Sequence, residues 1–235
     1  MDLEKWMQLG LVDMVVGSDY FRLNPWDQMI PVCHKYGVKY YAGLSEPRVN
    51  KEHPDIRRLQ NSVYRARAAA AWNAGVDGLY VFNEYNTRSR YLREIGKPDQ
   101  LRGTNNLYFV TDRNGNPEAY LKNGRSFMTI PVLTPVNPVS VSADPLNFMM
   151  EIGNEDDSAS VFLILYASGS IPGELQASLN NGEASFRKCT DDGLHIFSVP
   201  HNVISPGKNM LTVSKKDKSR TGETPSVLLD AALLF

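Results

Sequence analysis

AWNAGVDGLYVFNEYN, Ala71–Asn86, is the stretch on which the fold turns. Its first residues close a helical pattern at Gly75, a residue suited to the left-handed exit of a helix. Its middle, Val76–Phe82 (VDGLYVF), is a short apolar run rich in strand-forming residues. The run stops at the polar cluster Asn83, Glu84, Tyr85 and Asn86. Helix, tight turn, apolar strand and polar loop in that order describe a βα unit of a parallel sheet. Such a sheet is buried on both faces, so its strands carry near-continuous apolar runs.

The same order recurs upstream. Asp55–Ala74 carries Ile56, Leu59, Val63, Ala66 and Ala70 at spacings of three and four, one apolar stripe of a helix. Arg57, Arg58, Arg65 and Arg67 are expected on its solvated side. Before it, Val38–Leu44 (VKYYAGL) is a strand ending at Ser45, Glu46, Pro47 and Arg48. Asp13–Val16 (DMVV) is another, ending at Gly17, Ser18 and Asp19. Asn24–Pro25 is a helix-start signal between them, but Pro31 moves the start towards Ile30, and Tyr36–Gly37 ends the helix. In parallel sheets ligands meet the loops that follow the strands.

Downstream the character changes. Leu107–Thr111 is a short strand followed by the turn signal Asn114–Gly115. MTIPVLTPVNPVSV, with Pro131, Pro135 and Pro138, reads as an extended linker. Beyond it come short strands: Leu146–Ile152, Val161–Ala167, Glu174–Leu179, Ala184–Lys188, Leu194–Val199, Met210–Val213 and Val227–Leu234. Asn181–Gly182 and Pro206–Gly207 punctuate them. The expected fold class is therefore α/β plus all-β. About three parallel βα units span 1–112, a partial (β/α) barrel by the family resemblance of these segments, followed by a connecting segment over 113–137 and an antiparallel, jelly-roll-like β-sandwich over 138–235.

Composition narrows the functional classes. The chain has 235 residues, with 25 Lys+Arg against 26 Asp+Glu and a net charge of -1, so no global positive field exists to hold nucleic acid. No apolar run is long enough for a membrane-spanning helix. MDLEKWMQLG has acidic residues and no apolar core, so no secretory signal is read there, and location stays open. Cys33 and Cys189 are far apart and read as reduced or buried thiols. His34, His53, His195 and His201 lack metal-ligand spacing, and neither a metal nor another cofactor is expected.

Three segments add a resemblance to the Ala71–Asn86 stretch. They are GLVDMVVGSDYF (Gly10–Phe21), HKYGVKYYAGL (His34–Leu44) and LREIGKPDQLRGTNNLYFVTD (Leu92–Asp112). In this order the four resemble the last part of family-10-like glycoside-hydrolase (β/α)8 barrels, over roughly Gly10 to Asp112. LQASLNNG (Leu175–Gly182) and VPHNVISPGKN (Val199–Asn209) resemble the galactose-binding-like sandwiches that accompany such barrels. The resemblance implies a carbohydrate partner and poly- or oligosaccharide processing. A closed barrel needs eight strands and about 200–250 residues. Only three units fit here, so the chain is expected to be a C-terminal portion, inactive by itself. Its raw sheet edge is expected to be covered by a homo-oligomer or by the missing barrel half. The alternative is a non-catalytic carbohydrate-binding or assembly module that pairs through that edge.

Glycoside hydrolysis uses paired carboxyls. The acids at strand ends are Asp19, Glu46 and Glu84. Glu84 directly follows an apolar strand, where burial is expected to raise its pKa towards general-acid duty. Glu46, near Arg48, is expected to stay ionised as nucleophile or sugar-orienting group, and Asp19 completes the set. Tyr20 and Tyr85 are placed to stack on sugar rings, while Arg22, Arg48, Asn83 and Asn86 are placed to hydrogen-bond hydroxyls. Helix capping or pairing with an arginine is the competing role for the acids, and turn formation for Asn83 and Asn86.

Overall fold

The computed structural model describes residues 2–18, 22–113, 117–119, 121–216 and 225–235. Asp19, Tyr20 and the Asn114–Gly115 turn lie outside the described residues. The chain is mostly sheet with few helices. Three separate sheets are present, and no closed barrel exists among the described residues.

The first sheet is parallel, in the order β1 (Met14–Ser18), β2 (Lys39–Leu44) and β3 (Gly78–Val81). Helices α1 (Leu3–Gln8) and α2 (Ile30–Lys35) precede its first two strands, and α3 (Asn61–Ala74) precedes the third. Pro31 sits in the first turn of α2, where its missing N–H costs nothing. Gly75 ends α3 with φ +94 and donates to the carbonyls of Ala71 and Trp72. Gly17 is required by contact: a Cβ there would overlap the Tyr40 hydroxyl, which lies across β1. Met7, Trp26, Ile30, Cys33, Val38, Tyr40 and Ala42 form a small core around α2 and β2.

The other sheets are antiparallel. One runs β10 (Ser185–Cys189), β11 (Leu194–Val199), β7 (Val161–Ser168), β13 (Ser226–Leu234) and β4 (Leu107–Phe109), with β5 (Val139–Val141) also on β13. The other runs β6 (Leu146–Ile152), β12 (Gly207–Lys215), β8 (Leu175–Leu179) and β9 (Gly182–Glu183). Leu163, Leu165, Phe197 and Leu233 of the first sheet and Phe148, Met150, Leu179 and Leu211 of the second belong to one buried cluster. The two sheets thus share a core, which follows from the in–out alternation of strands such as β8 and β12.

Helix α3 joins the two parts. Its alanines Ala66, Ala68 and Ala69 belong to the sandwich cluster, while Ala71 faces the core of the parallel sheet. Small side chains permit close approach: a Cβ on Gly153, after β6, would lie 2.5 Å from the Ala69 Cβ. Ile56 and Val63 cover Leu107, Phe109, Ile164 and Ala232 on the outer face of the larger sheet.

Several expectations are revised. The helix expected over 55–74 begins only at Asn61, because Asp55–Gln60 is spent on turns. Arg58 and Arg67, expected in solvent, are buried because the sandwich packs on their side of the chain. Leu107–Phe109 pairs with Leu234–Ala232, so this strand is built into the sandwich sheet rather than the parallel one. The proline-rich stretch contributes a strand of its own, Val139–Val141, on β13.

Candidate functional site

The loops leaving the carboxyl ends of β1, β2 and β3 carry Arg22, Glu46–Arg48 and Asn83–Asn86. Arg22 is nearly buried. Its Nε donates to the Asn24 carbonyl at 3.1 Å, and its Nη atoms pair with Asp112, at 3.4 Å, and with Glu151. Its guanidinium lies 4.4 Å over the Trp26 ring. The arginine separates two hollows. One, of about 60 Å³, is lined by Asp112, Arg113, Pro131 and Glu151; the other, a groove of about 360 Å³, runs along Val15–Ser18 to Trp26 and Tyr40.

Glu84 sits where β3 gives way to its loop. One carboxylate oxygen accepts the Asn86 amide at 2.7 Å and the other accepts the Tyr91 hydroxyl. The Tyr91 hydroxyl holds this carboxyl below the usual carboxylate range, assisted by the Asn86 amide. The expected upward shift is therefore reversed: a phenol donor outweighs the modest burial. Tyr91 stacks on Tyr64, with centroids 4.1 Å apart and planes 11° from parallel. Burial pushes the Tyr64 phenol up to about 12, with Glu84 and Glu46 both adding to the rise, so the two carboxyls share one neighbourhood. Burial lowers the Arg67 guanidinium to about 10; it lies 5.2 Å from the Tyr64 ring, close enough to Asp112 to be stabilised by it.

The remaining residues are divided. Glu46 is exposed, and its carbonyl accepts Arg113 Nε at 3.0 Å, tying the β2 loop to the Asp112 loop. Arg48 is exposed and Asn83 has a similar left-handed backbone, φ 54 and 58 respectively. Such a backbone is unfavourable for arginine and easier for asparagine. Tyr85 is 86% exposed, its hydroxyl 3.3 Å from Asn83 Oδ1. Asn86 Oδ1 accepts the Arg88 amide at 3.1 Å, a turn-forming contact. Glu46, Glu84 and the Tyr64–Tyr91 pair are thus one group, and Arg22 with Asp112 and Glu151 is a second, linked through Arg67 and Arg113. Tyr64, Arg67, Tyr91, Asp112, Arg113 and Glu151 are additions to the set read from sequence. Only Tyr91, close behind Glu84 in the chain, offered a local signal.

Among the described residues one group has metal-ligand proximity: His53, Asp55 and Asp192, with ligand atoms within 4.8 Å. The Asp55 amide donates to His53 Nδ1 at 3.2 Å, which leaves the neutral ring's proton on Nε2, facing Asp192 at 2.9 Å. A metal at Nε2 would need the opposite tautomer, with two N–H groups facing each other. The arrangement instead ties the turn before α3 to the β10–β11 hairpin. No helix among the described residues is long and apolar enough to cross a membrane.

No protein family and no curated protein matches the chain. Among solved structures it is similar to BpGH86A, a beta-porphyranase of glycoside hydrolase family 86 from the human gut bacterium Bacteroides plebeius. The two are 14% identical with a TM-score of 0.34, over 55% of this chain and 20% of the porphyranase. The chain therefore spans about a fifth of that protein's length.

Proposed function

We propose that the chain is a glycoside-hydrolase-like portion that recognises poly- or oligosaccharides at the carboxyl ends of its parallel strands. On this reading the parallel part is a partial barrel and the antiparallel part a jelly-roll-like sandwich. The observation that carries it is the β3 loop. There an ionised Glu84, fixed by Tyr91, stands beside the exposed ring of Tyr85. A carboxylate that accepts sugar hydroxyls next to an open aromatic face suits a sugar ring, whose C–H surface packs on aromatics. Glu46 and Arg22 extend the polar surface towards Asp112 and Glu151.

The same geometry argues against hydrolysis by this chain alone. A glycosidase needs one carboxyl kept protonated as acid. Glu84, the residue assigned that duty, is held ionised by its phenol donor. Binding without turnover is the expected outcome. Calorimetry with a panel of oligosaccharides is expected to find a ligand whose affinity falls in Tyr85→Ala and Glu84→Gln, while aryl glycosides stay intact. Binding that neither substitution weakens removes the site assignment. Aryl-glycoside hydrolysis abolished by both Glu84→Gln and Glu46→Gln would replace binding with catalysis.

A second reading, an assembly module, is favoured by the apolar surface on the sheet's edges. Leu11, Met14 and Val16 are 68%, 56% and 40% exposed beside or on β1, and Tyr80 and Phe82 are similarly exposed at β3. On this reading a second copy of the chain covers these edges.

A further inference from the structure

The groove of about 360 Å³ beside β1 is separate from the β3 loop, and a polar group without a protein partner lies at its floor. Tyr40 is only 3% exposed. Its backbone N–H donates to Asp77 at 2.8 Å, but its hydroxyl hydrogen-bonds none of the described residues. That hydroxyl reaches across β1: a Cβ on Gly17 would overlap its oxygen and would lie 3.0 Å from the edge of the Trp26 indole. Gly17, Trp26 and Tyr40 all line the groove. The absent Cβ therefore leaves a cradle in which a buried phenol O–H meets an open hollow. Buried hydroxyls are almost always hydrogen-bonded, so this one calls for a partner that enters the groove.

The rest of the lining narrows the chemistry of that partner. No carboxylate is among the described residues that line the groove, so an organic cation or a metal ion finds no counter-charge there. The cation at its end, Arg22, is already answered by Asp112 and Glu151, which line the other hollow. An anion would therefore meet a compensated charge. A wholly apolar ligand would leave the Tyr40 hydroxyl unpaired. Val15, Pro25, Trp26 and Met29 supply apolar wall, and Asn24 adds a carboxamide beside Arg22. Apolar walls with a few fixed polar groups, in a volume above about 300 Å³, describe a site for a small neutral ligand that carries hydroxyls.

We propose that this groove is a second subsite for a neutral sugar unit, with a ring hydroxyl on the Tyr40 hydroxyl and the C–H surface against Val15, Pro25 and Met29. The proposal rests on the carbohydrate reading above and extends it from the β3 loop to the edge of β1.

The test is a titration of the full, isotopically labelled chain with the methyl glycosides of glucose, galactose, mannose and xylose, followed at the Gly17 and Asn86 amides. Benzene is the apolar control and glucuronate the anionic one. Saturable shifts at Gly17 are expected with at least one neutral glycoside. They are expected to persist in Tyr85→Ala and to need about tenfold more ligand in Tyr40→Phe, equivalent to about 1.4 kcal/mol. Tyr40→Phe keeps the ring and removes a hydroxyl that no described residue uses, so the fold is retained. Saturation at Asn86 alone overturns the subsite and leaves the carbohydrate reading standing. Saturation at neither amide also overturns the subsite, and the oligosaccharide panel then decides the wider reading by itself. An equal response to benzene, tighter binding of glucuronate than of every neutral glycoside, loss of the Gly17 response in Tyr85→Ala, or an unchanged affinity in Tyr40→Phe overturns the proposal as well.

Discussion

Glu84 and Arg58 illustrate how neighbours decide what a charged side chain does. At the end of an apolar strand Glu84 reads as a candidate acid; the Tyr91 hydroxyl makes it a carboxylate instead. Tyr91→Phe removes the donor, so the Glu84 carboxyl is expected to titrate at higher pH in the variant, read from its carboxyl carbon by NMR. Arg58 pairs through both Nη atoms with Asp230 at 2.7 and 2.8 Å, donates to the Thr111 carbonyl at 2.6 Å and lies 3.9 Å over Phe109. Removing one partner of such a buried pair leaves an uncompensated charge. Asp230→Asn is expected to cost about 3–5 kcal/mol in urea unfolding at neutral pH.

At the scale of elements, α3 is the part most exactingly fitted. It touches both cores through alanines, and Gly153 closes against Ala69 with no room for a Cβ. Ala69→Leu is expected to destabilise the protein by about 1–3 kcal/mol through overpacking, measurable as a lower urea midpoint with an unchanged slope. The helix was readable from its apolar spacing and from Gly75. Its start was not, because Arg58 is drawn out of helical geometry by partners far along the chain. The sandwich strands were readable for the opposite reason. Their in–out alternation and turn residues are local, so β6 and β11 occupy the residues expected of them. Strand β4 was located in sequence but assigned no partner, since pairing with β13 spans more than a hundred residues.

For the whole molecule, the parallel sheet is the part whose edges decide behaviour in solution. Among the described residues it has three strands, with β1 and β3 at its edges, and apolar side chains stand exposed beside them. An uncovered edge of this kind favours pairing with another chain. Sedimentation is expected to show concentration-dependent association, and Val16→Lys, which places a charge on β1, to reduce it. A wild-type protein that stays monomeric at all concentrations would remove the assembly reading and leave carbohydrate recognition untouched.

By itself, the order of residues determined the alternation of helices and strands, the change from parallel to antiparallel character, and the loops in which polar groups collect. Those follow from spacing and turn chemistry within a few residues. Tertiary structure alone decided that Arg22 meets Asp112 and Glu151, that Arg58 meets Asp230, and that Tyr91 sets the charge of Glu84. Protonation and burial depend on which side chains arrive through space, and the sandwich that brings most of them is folded from the other half of the chain.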